Sequence, residues 1–269
     1  MEDEPIWDGY RRFCRIRAEA MTAGVCDLTD LGSPSPTTIL PLTDFLRKTR
    51  TRWIPPKDAQ LAECLNITVD GQAGRFDSGD PCPILTLPKD SRDIGRVLAK
   101  MAELHDGGGR YGGRNVFMYL IGELAHNVYD HSGSCNAFMT GQRRDDQQLV
   151  EISVFDDGIT VGGSLRRAGI VLEDDVMAIA MAMNGLSSKG EGRRGYGLRS
   201  NVKMCVQGLR GRILMVSGNG AIELGPHDTD HESTQEAYSF EENVYHLAGT
   251  LVSVRIPFQE KEVDLYEFA

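Results

Sequence analysis

Glu123, Asn127, Asp130 and His131 stand at i, i+4, i+7 and i+8 in the run Glu123-Leu124-Ala125-His126-Asn127-Val128-Tyr129-Asp130-His131-Ser132. On a helix that spacing puts all four on one face, beside an apolar stripe of Phe117, Leu120, Leu124 and Val128. A carboxylate there can polarise a water or a hydroxyl, and an amide oxygen is a hard ligand suited to Mg²⁺. A second segment, Ile152 to Gly158, is an apolar run ending in Asp156, Asp157 and Gly158. A carboxylate fixed at a strand end can accept the exocyclic amine of adenine, a donor that guanine lacks at that position. A third, Ser187 to Leu198, brings Gly190, Gly192, Gly195 and Gly197 together with Lys189, Arg193 and Arg194. Its glycines let main-chain N–H groups approach an anion, and the helix that follows adds its positive end. The fourth, Gly249-Thr250, opens the run Leu251 to Pro257. Taken singly, each also fits a plain structural part: the solvated edge of a helix, a strand-to-turn exit, a glycine linker, a strand start.

The elements that must position these residues can be read from periodicity. Asp90 or Ser91 can cap a helix whose apolar positions Ile94, Val97, Leu98, Met101 and Leu104 keep the 3.6 period. Five glycines between Asp106 and Gly113 break it, and a second helix runs from about Asn115 to Asp130. Strands are predicted at Cys135–Thr140 and Leu149–Phe155, joined through the polar Arg143-Arg144-Asp145-Asp146. Helices follow at Glu173–Met183 and from Gly197 to Gln207. The remaining strands are Arg212–Ser217, Ala221–Leu224 and Thr250–Ile256, with an acidic loop between the last two. Before Asp90 the pattern is irregular: a short strand within Val25–Leu31, a helix starting at Leu42–Lys48, and turn-rich Asp70–Pro83. Runs of helix and strand without regular βαβ alternation predict an α+β sandwich, its antiparallel or mixed sheet covered by helices on one face.

Composition excludes several classes. The chain has 269 residues, 41% hydrophobic and 25% charged, enough for one large domain or two ordinary ones. Its 29 basic against 39 acidic residues give a formal charge of −10, which repels phosphate backbones, so no nucleic-acid partner is expected. No apolar run approaches the ~18 residues of a membrane span, and Met1-Glu2-Asp3-Glu4-Pro5 is acidic where a secretory leader is basic; a cytoplasmic protein without membrane contact is the expectation. Six scattered cysteines form no CxxC, which predicts buried reduced thiols. His227 and His231 stand at i, i+4 in a polar, proline-marked stretch that reads as a loop rather than a metal site. Gly190, Gly192 and Gly195 satisfy GxGxxG but follow a helix where a dinucleotide fingerprint follows a strand, and no Gly-Lys-Ser/Thr is present for a Walker A loop.

In this order and separation the four segments resemble the GHKL ATPase superfamily, which includes gyrase-type ATPases, chaperone and mismatch-repair ATPases, histidine kinases and anti-sigma serine kinases. Glu123–Ser132 looks like its N box, Ile152–Gly158 its G1 box, Ser187–Leu198 its G2 box with lid, and Gly249-Thr250 its closing Gly-Thr strand. The resemblance covers about Pro88 to Phe258. It implies a two-layer α/β sandwich, the Bergerat fold, with a mixed, largely antiparallel sheet, plus a small N-terminal αβ region over 1–90 that faintly resembles a STAS-like unit; residues 91–269 would form the ATP-binding domain. It further implies ATP and Mg²⁺ as ligands. Asn127 would hold the metal, Asp156 the adenine amine, and Thr250 would support Asp156. Asp130, His131, Gly158, Gly195, Gly197 and Leu198 would complete the pocket, with Lys189 or Arg193 neutralising phosphate. Thr160 stands where the G1 box usually has a second glycine.

Glu123, an acid able to act as base, makes the pattern most similar to the anti-sigma serine-kinase branch and stand-alone relatives. His105 lacks the flanking pattern of a phosphoacceptor and reads as an ordinary helix-end histidine. With only Leu251 to Ala269 after Thr250 in this sequence, a transducer domain of the dimeric ATPases is not expected here. The expected function is a signalling ATPase or serine/threonine kinase acting on a protein partner, with residues 1–90 as its contact and a homodimer as a further candidate. The alternative is a nucleotide-gated binding module without turnover.

Overall fold

Every residue of the strand Leu149–Asp156 is buried, although its sequence alternates apolar with polar. Alternation sends Val150, Ile152 and Val154 to one face of a sheet and Glu151, Ser153 and Phe155 to the other. Burial of both sets means that both faces are covered. The computed structural model describes residues 5–71, 83–131, 133–134, 136–186, 196–226, 233–240 and 243–267. In chain order the elements are α1 Ile6–Ala23, β1 Val25–Asp27, α2 Pro36–Thr49, β2 Arg52–Ile54, α3 Ala59–Val69, β3 Leu85–Thr86, α4 Gly95–Leu104, α5 Arg114–His131, β4 Ala137–Arg144 and β5 Leu149–Asp156. There follow α6 Val161–Arg167, α7 Asp175–Met183, α8 Tyr196–Lys203 (running on into a π turn over Met204–Gly208), β6 Arg212–Gly218, β7 Gly220–Pro226, β8 Ser233–Ser239 and β9 Leu247–Pro257.

The fold is α+β. Seven strands in the order β3-β4-β5-β9-β6-β7-β8 form one sheet, each neighbouring pair antiparallel; the parallel pair β1–β2 stands apart. On one face α4, α5, α7 and α8 pack through Leu98, Phe117, Leu124, Ile179 and their neighbours against Val150, Ile152, Ile213 and Val254. This is the expected two-layer sandwich. The second face carries a further layer: Ile6, Tyr10 and Phe13 of α1, with Ile39, Leu40 and Leu46 of α2, share a core with Phe138, Phe155, Leu214 and Leu251. The stretch before Asp90 is therefore more regular than its sequence suggested. Its first helix buries mainly aromatic residues among arginines, so it lacks the aliphatic stripe of the later helices. The acidic loop also differs: Ser233–Ser239 pairs with β7 along seven residues as an exposed edge strand, which its Thr, Gln and Glu content hides from hydrophobic periodicity.

Two buried glutamates attach the N-terminal helices. Neither α1 nor α2 has a side-chain cap of its own. Glu223 of β7 accepts from the N–H groups of Ile6 and Trp7 at 3.2 and 3.0 Å, and Glu151 of β5 accepts from the N–H and hydroxyl of Thr37 at 3.3 and 2.8 Å. A carboxylate at a helix N-terminus satisfies orphan donors and complements the dipole. Each glutamate is matched by an arginine from the adjacent strand, Glu223 by Arg212 and Glu151 by Arg255.

His105 ends α4, as expected, but it is 3% exposed and neither ring nitrogen has a partner. It lies against Gly141, where any Cβ would run into the ring. Burial pushes its pKa down to about 4, with Asp106 pulling up and Arg143 pushing down. The unfolded chain takes up this proton near the ordinary histidine value of about 6.5, whereas the folded chain holds off until about 4. Stability is thus full above the unfolded value and is lost as pH falls towards the folded one, about 3 kcal/mol from this group. Urea unfolding at pH 7, 5.5 and 4.5 should show that slope. His105→Leu, placing an apolar side chain where nothing hydrogen-bonds, should remove this group's share of it; an unchanged slope refutes the assignment.

Candidate functional site

Two of the segments, the end of β5 and the start of β9, meet at one end of the sheet, on the face covered by α5. Asp156 closes β5 and pairs directly with Thr250 of β9, which pairs in turn with Ser217 of β6. Strand alternation aims these three towards the α5 layer, since Val154, Val252 and Met215, two residues away on each strand, belong to that core. Asp156 is 5% exposed, and its Oδ1 accepts from the Gly158 N–H at 2.9 Å, an Asx-type turn that fixes the carboxylate against its own exit loop. Ser217 Oγ lies 3.0 Å from Thr250 Oγ1, donates to the Gly249 carbonyl at 2.9 Å and accepts from the Val161 N–H at 2.9 Å. Gly249 has φ of +103°, and a Cβ on it would strike the Asp156 carbonyl oxygen. The glycine before Thr250 is therefore what lets β9 enter beside β5.

Thr160 has a local explanation. It is the N-cap of α6, with φ −63° and ψ 161°, and its hydroxyl accepts from the Gly163 N–H at 3.0 Å. A capping threonine in extended backbone needs no glycine, so the chain leaves the strand end by starting a helix.

Glu123 and Asn127 lie on α5, both half-buried, with Leu124, Ala125 and Val128 holding the helix to the sheet. The Nδ2 of Asn127 is buried and has no partner. The two ends of a carboxamide exchange by a flip, so this buried end can offer an acceptor to a cation or a donor to an anion. Tyr119, one turn before Glu123, is raised above the ordinary tyrosine value by burial and by Glu123, against a hydrogen bond with Ser200 of α8. The helix α8 packs against α5, and Gly197 and Leu198 open it, Leu198 packed on the same core. The side chains of Asp130 and His131, and residues Lys189, Arg193, Gly195, His227 and His231, lie outside the described residues.

Two polar residues of this region were not singled out from sequence. Ser217 ends the apolar run Ile213–Val216, and a serine closing such a strand is its only signal. Asn201 is fully buried in α8 with neither amide atom partnered; a carboxamide between Leu198 and Cys205 on an apolar stripe is the mark that could have found it. Among the described residues no group of three His, Cys, Asp or Glu could hold a metal. Cys14, Cys26, Cys64 and Cys205 are buried thiols outside any disulfide. Burial pushes Cys14 and Cys26 up to about 11 and Cys205 to about 12, which makes them packing groups rather than nucleophiles. No helix among the described residues is long and apolar enough to cross a membrane.

No family model matches the sequence, and no curated protein is similar enough to be matched. Among solved structures, the histidine kinase domain of the Erythrobacter litoralis EL346 blue-light activated histidine kinase aligns at 15% identity over 93% of this chain and 94% of that one, with a TM-score of 0.27. A superposition that loose bears on neither fold nor function, which rest on the residues above.

Proposed function

We propose that this chain is an ATP–Mg²⁺-binding protein of the GHKL type that passes the γ-phosphoryl group to water or to a hydroxyl of a protein partner. The observation that carries this reading is the polar corner at the ends of three adjacent strands, buried Asp156 and Ser217 with half-buried Thr250 between them, on the face that α5 covers. Asp156 would accept the adenine amine, supported by Thr250 and Ser217. The Asn127 carboxamide, hard in its oxygen and with one buried end unpartnered, fits a Mg²⁺ ligand. The metal, when bound, neutralises charge on the phosphate oxygens. Glu123 would accept the proton of the attacking water or hydroxyl, and the start of α8 would offer main-chain N–H groups to phosphate. Phosphoryl transfer asks mainly for positioning and charge stabilisation, so a set this small suffices for a slow reaction.

The test is calorimetric titration with a non-hydrolysable ATP analogue and Mg²⁺, alongside phosphate release from ATP. Asp156→Ala should weaken binding by about a hundredfold, the worth of a charged hydrogen bond inside a desolvated site. Glu123→Ala should leave binding intact while release falls about 10²–10⁴-fold, the span of general-base catalysis. Binding without release in either protein would favour the nucleotide-gated module; no binding by the unaltered protein refutes the proposal. Label moving from γ-phosphate to a co-purified partner would identify a kinase.

A further inference from the structure

The second face of the sheet also reaches the candidate site, through α2. The helix touches β5 at both ends. At its start the Thr37 hydroxyl donates to Glu151 at 2.8 Å. Near its end Lys48 Nζ lies 3.3 Å from Asp157 Oδ2 and 2.9 Å from Asp44 Oδ2. From Glu151 to Asp157 a strand advances about 20 Å. From Thr37 to Lys48 a helix advances about 17 Å, and the lysine side chain covers the remainder. Between these ends Ile39, Leu40, Leu42, Phe45 and Leu46 are buried. The helix is thus a strut laid along β5 and fastened at both ends.

What Lys48 holds is the exit of β5. Asp157 Oδ1 accepts from the Asn136 N–H and Oδ2 from the Asn136 carboxamide, both at 2.8 Å, while the Asp157 N–H donates to the Asn136 carbonyl at 3.1 Å. The start of β4 and the end of β5 are joined there. Asp157 sits below the ordinary carboxylate range: burial opposes this, and the Asn136 bonds and Lys48 outweigh it. Asp156 and Asp157 are consecutive and alternate faces, Asp156 towards α5 and Asp157 towards α2. Their shared peptide makes them one mechanical unit: whatever fixes Asp157 on one face orients Asp156 on the other. Without Lys48, the acids of Asp44 and Asp157, with side chains only 9% and 5% exposed, would lose the cation between them and be pushed apart.

We infer that Lys48 is a positioning residue for the purine site, and that through it the N-terminal layer sets nucleotide affinity and the preference for adenine over guanine. This rests on the nucleotide reading above. The strut gives a partner bound to residues 5–71 a direct mechanical route to Asp156, with no need to enter the site.

The experiment titrates non-hydrolysable ATP and GTP analogues, each with Mg²⁺, into the full chain and its Lys48→Met and Lys48→Arg variants, and records thermal melts without nucleotide. Lys48→Met should weaken the adenine nucleotide about five- to tenfold and narrow the adenine-to-guanine ratio by a similar factor, the size of coupling expected between residues in one charge network. Lys48→Arg should restore both. Asp157→Asn should reproduce the loss, and the double variant should be no worse than either single one. A merely structural lysine would lower the melting point and weaken both nucleotides alike, leaving the ratio unchanged, and that outcome overturns the inference. So does a Lys48→Met variant that binds like the unaltered protein. If the unaltered protein binds neither nucleotide, the nucleotide reading itself fails, a result distinct from the other two.

Discussion

Gly249→Ala should destabilise the protein by roughly 3–5 kcal/mol, the range for strain at a special φ combined with a backbone clash. The residue has φ of +103°, outside the region open to L side chains. An added Cβ would meet the Asp156 carbonyl oxygen, with the carbonyl carbon at 2.9 Å and Asp157 Cα at 3.0 Å. All three are backbone atoms at the end of a buried strand and the residue after it, so no side-chain rotation relieves them. Either β9 withdraws from β5, breaking the Asp156–Thr250 pairing, or β5 bends at the acid proposed to read adenine. Gly24 supplies the control. It has φ of +69° at the end of α1 with nothing within 4 Å, so alanine there meets left-handed strain alone, about 1 kcal/mol. Urea unfolding of both variants separates strain from collision. A Gly249 variant no worse than the Gly24 variant would mean that β9 slides freely, and the Gly-Thr pair would lose its structural meaning.

Much of this arrangement was legible beforehand, and the reasons differ by region. From Ile94 onward, helices show aliphatic residues at 3.6 spacing and strands show apolar runs or alternation, so α4, α5, β5, β6 and β9 fall near their expected bounds, while β4 runs on to Arg144, past the expected Thr140 and into the residues read as a hairpin. The same alternation misled about the layers. Val150-Glu151-Ile152-Ser153-Val154 reads as a strand with one dry and one wet face, which predicts helices on one side only. Here the polar set is buried as well, because Glu151, Ser153, Ser253 and Arg255 hydrogen-bond among themselves and to Thr37. Periodicity reports apolar character, not burial, and a covered polar network is invisible to it. Likewise α1 buries Trp7, which stacks on Tyr238 at 4.6 Å and Phe240 at 5.3 Å. Those partners lie more than 200 residues away, in the stretch read as an acidic loop. At the candidate site, Asp156, Gly249 and Thr250 could be marked by type and position; Ser217 could not, since only the order of the strands brings β6 beside β9.

The polar network yields the other large effect. Glu151→Ala should lower stability by roughly 3–5 kcal/mol, the loss typical when one member of a buried ion pair is removed. Glu151 is wholly inaccessible, and its Oε2 receives the Arg255 guanidinium at 2.9 and 3.3 Å while Oε1 serves Thr37. Alanine removes the Glu151 carboxylate from Arg255, 6% exposed, and opens the first turn of α2 at the same time. Glu223→Ala is the milder comparison, because Arg212 is 29% exposed on its side chain and can turn to water. Replacing both members, Glu151→Met with Arg255→Met, should recover more than half of the loss, since apolar side chains of similar volume tolerate burial better than a guanidinium that has lost the Glu151 carboxylate. Chemical denaturation of the four proteins decides it. Should the double variant prove as unstable as the single one, the loss belongs to α2 and its cap rather than to the charge pair. Recovery in the double variant, with the Glu151 cap on α2 still missing, would leave the strut seated by its apolar face and by Lys48. In that protein the distance between the helix and the end of β5 would rest on Lys48.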